Sequence, residues 1–151
     1  MNQHIEWRLP RHPRSVGRAR ALLAEQAREW KLPEDMTDTA VLLLSELMTN
    51  ACRHARVSPG REIRARCVLR RDESLRVEVS DASDVLPTPR IAAPDDESGR
   101  GLALVAALAH TWGAHPRACG IGKTVWFVLS PPGVPAAATA QYPAGRTSPV
   151  S

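Results

Sequence analysis

The chain has 151 residues, about the length of one domain, and 43% of them are hydrophobic, which suffices for a core. The formal net charge is +4 at pH 7, but the arginines are interspersed with acidic residues, so no basic cluster favours a nucleic acid partner. No stretch approaches the roughly 20 apolar residues that span a bilayer, and the N-terminus lacks a signal-peptide pattern. We therefore expect a cytoplasmic protein with no membrane partner.

The cysteines are few and scattered. Cys52, Cys67 and Cys119 are odd in number, far apart and set in apolar surroundings, without a C-x-x-C pair or a nearby histidine. This pattern predicts buried thiols and not a metal site.

The first third of the chain predicts one strand followed by two helices. Apolar residues alternate with charged ones over 5–9, which is the period of a half-buried strand. Helical spacing then runs over 14–30, and Pro33 ends that helix. A second helix is predicted from about Glu34 or Thr37 to Ala55, because acidic residues near its start suit the positive end of the helix dipole.

The rest of the chain predicts short strands around one more helix. The predicted elements are strands over 63–69, 75–79, 114–119 and 123–129, a loop over 80–99 and a helix over 101–109. The order β-α-α-β-β-α-β-β predicts an α+β fold, a two-layer sandwich with a mixed, mostly antiparallel sheet and about three helices on one face. We expect one domain over 1–130 and a disordered, Pro- and Ala-rich tail over 131–151.

A polar stripe interrupts the second helix, whose sequence includes SELMTNACRHA. Glu46, Asn50 and His54 recur every four residues, so they share one helical face. A solvated surface is one interpretation. Since Leu42, Leu43 and Leu47 flank the stripe, the wall of a pocket is the other.

Three further motifs each have two interpretations or fail a test. Asp81 ends a strand, and an aspartate in that position either forms a turn or contacts a ligand. Gly99-Arg100-Gly101 opens a helix, as a flexible joint or a phosphate site does. Gly122-Lys123-Thr124 is not a P-loop, because the required first glycine is Arg117 and a strand, not a helix, follows.

In this order the motifs resemble one family. E-x-x-x-N-A-x-x-H-A on a helix, a strand-ending Asp, G-R-G-L opening a helix and G-K-T entering the last strand resemble the Bergerat-fold (GHKL, histidine-kinase-like) ATPases. Within that family, SELMTNACRHA and GRGLALVAALA resemble the anti-sigma factor serine kinases of actinobacteria. The resemblance covers about residues 5 to 130.

The resemblance implies ATP and Mg²⁺ as cofactors and assigns a role to each motif residue. It implies that Glu46 accepts a proton in catalysis, Asn50 binds Mg²⁺, Asp81 binds the adenine amino group with Thr124 supporting it, and Gly99 and Gly101 present backbone amides to the phosphates. The chain departs from the family's D-x-G-x-G pattern at Ser83 and Val85. Glycine there would let the backbone pass close to the nucleotide, so weak binding is a further expectation.

Three hypotheses of function follow. The first is an ATP-binding regulator of transcription, a serine/threonine kinase that phosphorylates an anti-anti-sigma protein and sequesters a sigma factor, and the resemblance implies a homodimer. The second is a catalytically inactive protein-binding module of the same fold, acting by partner sequestration. The least favoured is DNA binding by the arginine-rich surface, which would show a steep salt dependence.

Overall fold

The structure is a computed structural model that describes residues 2–54, 62–81, 97–117 and 122–131. Its elements in chain order are β1 (Gln3–Pro10), α1 (Arg14–Glu29), α2 (Glu34–His54), β2 (Glu62–Leu69), β3 (Leu75–Asp81), α3 (Glu97–Leu108), β4 (Thr111–Pro116) and β5 (Lys123–Leu129). This order and the α+β class confirm the prediction. In the described part of the chain, no helix is long and apolar enough to cross a membrane.

The strands form one open sheet in the order β1-β2-β3-β5-β4. All four described pairings are antiparallel. A tight turn joins β2 to β3, and in it one Asp72 carboxylate oxygen accepts hydrogen bonds from the Ser74 amide at 2.9 Å and the Ser74 hydroxyl at 2.6 Å. Because the pairing of β3 with β5 matches Asp81 to Lys123, the register brings these two residues side by side.

Helix α2 is the central helix, and it contacts α1, α3, β3 and β5. Its apolar residues face the sheet, because leucine and methionine recur at helical spacing. Leu43, Leu44 and Met48 are fully buried. The sheet contributes its inward-facing residues to the same core: Ile63, Ala65, Cys67, Leu75, Val77, Val79 and Phe127.

The loop between β1 and α1 holds the last turn of α2. The Arg11 guanidinium donates a hydrogen bond to the Cys52 carbonyl at 3.2 Å, and the Cys52 thiol donates to the His12 carbonyl at 3.4 Å. A cation near a helix C-terminus also suits the helix dipole. These contacts fix the part of α2 that follows Asn50.

Two element boundaries differ from the predictions. Strand β4 spans Thr111–Pro116 and not 114–119, because Trp112 and Ala114 alternate as its inward-facing residues. Helix α3 begins at Glu97, inside the predicted loop, so Gly99 and Gly101 lie within its first turns. Residues 82–96, and with them Ser83 and Val85, lie outside the described residues.

The prediction of buried thiols holds for Cys67 but not fully for Cys52. Cys67 is buried, and burial raises the pKa of its thiol to about 12. Cys52 is only half-buried, and that partial burial is the main cause that raises its pKa. Cys119, and the predicted tail beyond Pro131, lie outside the described residues.

Candidate functional site

A small cavity lies where α2, α3, β3 and β5 meet. Its volume is about 30 Å³. The lining residues come from all four elements: Leu47, Asn50, Ala51, Val79, Asp81, Leu102, Lys123 and Val125. The walls are therefore mostly apolar, with an amide, a carboxylate and an ammonium group as the polar groups, which is the usual composition of a ligand pocket.

Helix α2 supplies the amide. Asn50 is half-buried and lines the cavity beside Leu47 and Ala51. Glu46 lies one helical turn earlier and is also half-buried. For Asn50 the pocket-wall interpretation of the polar stripe therefore applies. The side chain of His54 is outside the described residues.

The carboxylate and the ammonium form a buried ion pair. Lys123 Nζ lies 3.0 Å from both Asp81 Oδ1 and Asp81 Oδ2, so it donates to both oxygens. The side chains are 9% and 3% exposed, respectively. The two opposite charges stabilise each other in this buried environment, because either charge alone would carry a large desolvation cost. The pair forms one wall of the cavity.

The structure does not bring Thr124 to Asp81. Side chains alternate across a strand, so Lys123 faces the helices while Thr124 faces the opposite side of the sheet. There the Thr124 and Ser80 hydroxyls share a hydrogen bond of 2.7 Å. Both line a separate polar cleft of about 450 Å³ on the helix-free face, which Arg117 also lines.

Lys123 is the site residue that the sequence interpretation missed. The signal was available, because Val125 and Phe127 are inward-facing in β5 and Lys123 shares their parity. Parity would have placed Lys123, not Thr124, on the inner face.

The glycine motif lies at the start of α3. Gly99 and Gly101 are the third and fifth residues of the helix, and Leu102, which follows them, lines the cavity. The second turn of this helix, at Leu102, therefore lies beside the cavity that Asp81 and Asn50 line. Helix N-termini favour anions, which is the charge that a phosphate would bring.

The oxygen donors of this site suit Mg²⁺ that is bound together with phosphate and water. They do not suit a metal whose ligands all come from the protein. Among the described residues, no group of three or more His, Cys, Asp and Glu side chains could hold a metal. Mg²⁺ needs less, since it commonly takes one or two protein oxygens together with phosphate oxygens and water. The Asn50 amide oxygen fits that requirement, with the Glu46 carboxylate one turn away.

Comparison with known proteins identifies the family. The sequence profile of the histidine kinase-like ATPase domain matches residues 9–129. The chain belongs to this family, and the predicted Bergerat fold is confirmed. ATP is the nucleotide that such a domain binds.

One solved structure with the same fold is the crystal structure of the RsbU and RsbW domains of Rv1364c from Mycobacterium tuberculosis. The TM-score is 0.64 at 21% sequence identity, over 89% of this chain and 34% of that chain. The chain thus spans about a third of that structure, and the likeness concerns the fold. No match was found among curated proteins.

Proposed function

We propose that this chain is an Mg²⁺-ATP-binding regulator that phosphorylates a serine on an anti-anti-sigma protein and sequesters a sigma factor. The main support is the placement of Asn50 and Asp81 on one cavity of a histidine kinase-like ATPase domain. The resemblance of the helix motifs to anti-sigma factor serine kinases adds the partner class. The proposal includes a homodimer in the cytoplasm.

In this proposal each wall of the cavity has its own task. Asp81 accepts a hydrogen bond from the adenine amino group, and the amides around Gly99 and Gly101 bind phosphate oxygens. Asn50 supplies an oxygen ligand to Mg²⁺, which would neutralise phosphate charge during transfer.

Glu46 acts on the attacking group. Its carboxylate takes the proton of the serine hydroxyl as the serine oxygen bonds to the γ-phosphorus and ADP leaves. One helical turn separates Glu46 from Asn50, so the proton acceptor and the metal ligand would lie on the same side of the triphosphate.

The matched experiment is calorimetric titration with ATP, with and without Mg²⁺, of the unmodified chain, Asn50→Ala and Asp81→Asn. The expected result is magnesium-dependent binding that both substitutions weaken at least tenfold, or about 1.4 kcal/mol. Leu42→Ala is a control, since Leu42 lies on the same helix, is 41% exposed and is no part of the cavity lining. Equal affinity in all four proteins would contradict the proposed site.

A second experiment addresses the activity. Purified anti-anti-sigma proteins from the source genome would be incubated with γ-labelled ATP and this chain. Labelling of a serine on one of them is expected, and it should be absent with Glu46→Gln.

Two observations favour the alternative of an inactive protein-binding module. The cavity is far smaller than the about 300 Å³ or more of typical small-molecule pockets, and Lys123 already engages Asp81. Binding of a partner without any nucleotide dependence, and with no labelled product, would support that alternative.

A further inference from the structure

We propose that Lys123 determines the nucleotide affinity of this site. Its ammonium group is paired with the Asp81 carboxylate, and its side chain fills the space that the purine needs. Nucleotide binding then requires Lys123 to leave Asp81. This inference rests on the proposed function, since it concerns the same cavity and the same base contact.

The geometry leaves the purine no room while the pair is intact. Lys123 donates to both oxygens of Asp81 at 3.0 Å, so the hydrogen-bonding positions that face the cavity are taken up by an ammonium group. The remaining cavity of about 30 Å³ holds one or two water molecules and not a purine. The lysine stem and the base would therefore compete for one volume.

The exchange is unfavourable for the base. The ammonium group makes charge-assisted hydrogen bonds with the carboxylate, whereas a purine amino group is a neutral donor and makes weaker ones. The nucleotide must compensate through its phosphates and Mg²⁺. We infer that the triphosphate supplies most of the affinity and that adenosine alone binds poorly.

The lysine is able to leave. It is the first residue of β5, and it follows Gly122, whose φ of 87° lies in the region that favours glycine. Its flexible four-carbon stem gives the ammonium group other rotamers, and nucleotide binding requires one that leaves Asp81. A shorter side chain at this position would remove the ammonium group from the Asp81 carboxylate.

The test compares ATP affinity, in the presence of Mg²⁺, of the unmodified chain, Lys123→Thr and Lys123→Arg. Threonine suits a strand, removes the competing charge and opens the cavity; arginine keeps the charge and the bulk. Lys31→Asn is the matched charge control, because Lys31 is exposed and asparagine tolerates its positive φ of 57°. We expect Lys123→Thr to bind ATP about tenfold more tightly and the other two to show no gain.

The outcomes separate this inference from the proposed function. If the unmodified chain binds ATP and Lys123→Thr binds it equally or more weakly, the inference is wrong and the nucleotide site stands. If neither protein binds ATP although circular dichroism shows that each is folded, the inference and the proposed function are both wrong. Binding by Lys123→Thr alone would support the inference in its strongest form.

A second measurement uses the unmodified chain, so it does not depend on the folding of a variant. The sequence has two lysines, Lys31 and Lys123, and amine acylation followed by mass spectrometry compares them directly. Without nucleotide, Lys123 should react far more slowly than the exposed Lys31. With Mg²⁺ and a non-hydrolysable ATP analogue, its reactivity should rise toward that of Lys31; no change, or a fall, would contradict displacement.

Discussion

Gly113 of β4 lies directly against the indole ring of Trp126 in β5. A Cβ atom built on Gly113 would be 2.8 Å from Trp126 Cζ2, a distance that real Cβ contacts do not show. The Arg76 guanidinium carbon lies over the same ring, 4.2 Å from its centroid. Glycine thus allows the ring to lie flat on the helix-free face of the sheet and to stack with the arginine.

Gly113→Ala should therefore destabilise the fold. The indole must move away, which disturbs the stack with Arg76, and overpacking of this kind costs about 1–3 kcal/mol. Urea unfolding monitored by tryptophan fluorescence would measure the loss. Gly17→Ala in α1 is the matched control, because a Cβ there meets nothing within 4 Å. It should stabilise the helix by about 0.5–1 kcal/mol, and equal losses in both variants would contradict the packing argument.

Glu46→Gln should separate chemistry from binding. The amide keeps the size of the side chain but cannot accept a proton, so the turnover of ATP to ADP should fall about 10²–10⁴-fold. Magnesium-dependent ATP affinity should change by less than about threefold, because in the proposed function Asp81, and not Glu46, contacts the base. Coupled-enzyme detection of ADP, with the anti-anti-sigma protein present as the serine acceptor, measures the rate. Full activity in this variant would remove Glu46 from the proposed chemistry.

Asp72 should contribute stability that depends on pH. Hydrogen bonds from the Ser74 hydroxyl and then the Ser74 amide lower the pKa of the Asp72 carboxyl in the folded chain. The contribution is therefore complete above the unfolded pKa of about 4 and is lost as the pH falls through the folded value. Asp72→Asn should have a lower melting temperature than the unmodified chain at pH 7. Below about pH 3 the two should converge, because a protonated Asp72 also lacks the charge.

The exposed Glu25 offers a control for that measurement. Glu25→Gln makes the same change in net charge outside any turn. If it reproduced the pH dependence of Asp72→Asn, a general effect of charge would explain the result and the turn would not.

Cys67 should be chemically silent in the folded protein. Burial raises the pKa of its thiol to about 12, with the nearby charge of Glu78 as a smaller cause, so almost no thiolate exists at pH 8. In a Cys52→Ser, Cys119→Ser background, a thiol-exchange reagent should react with Cys67 only as fast as the chain unfolds. Rapid labelling under native conditions would place Cys67 at the surface and contradict the structure.

The sequence predicted the elements well because each has one buried face. The inward residues of β2 and β3 alternate with charged ones, and α2 carries leucine and methionine at helical spacing, so local period determined the order and the class of fold. The start of β4 was less predictable. Trp112 is buried by tertiary packing, and in the sequence it stands next to a glycine, which weakens the strand pattern.

The candidate site was predictable only in part. Asn50 and Asp81 were found from the spacing of motifs, and they do line one cavity. The ion pair of Asp81 with Lys123 joins residues 42 positions apart, and it depends on the register of β3 with β5. No local pattern specifies that register, because it follows from how two non-consecutive strands pair in the complete sheet.

The arrangement of α2 has a mechanical consequence. Asn50 and Glu46 share a helix with Leu43, Leu44 and Met48, which are completely withdrawn from water. Sliding or rotating this helix would expose those side chains to water. Helix α2 is therefore the rigid part of the site. Helix α3 is less constrained, since Leu104 and Leu108 are 37% and 45% exposed. Any widening of the cavity would come from movement of α3 and of the start of β5. The Asn50 amide and the Glu46 carboxylate on α2 would keep their positions.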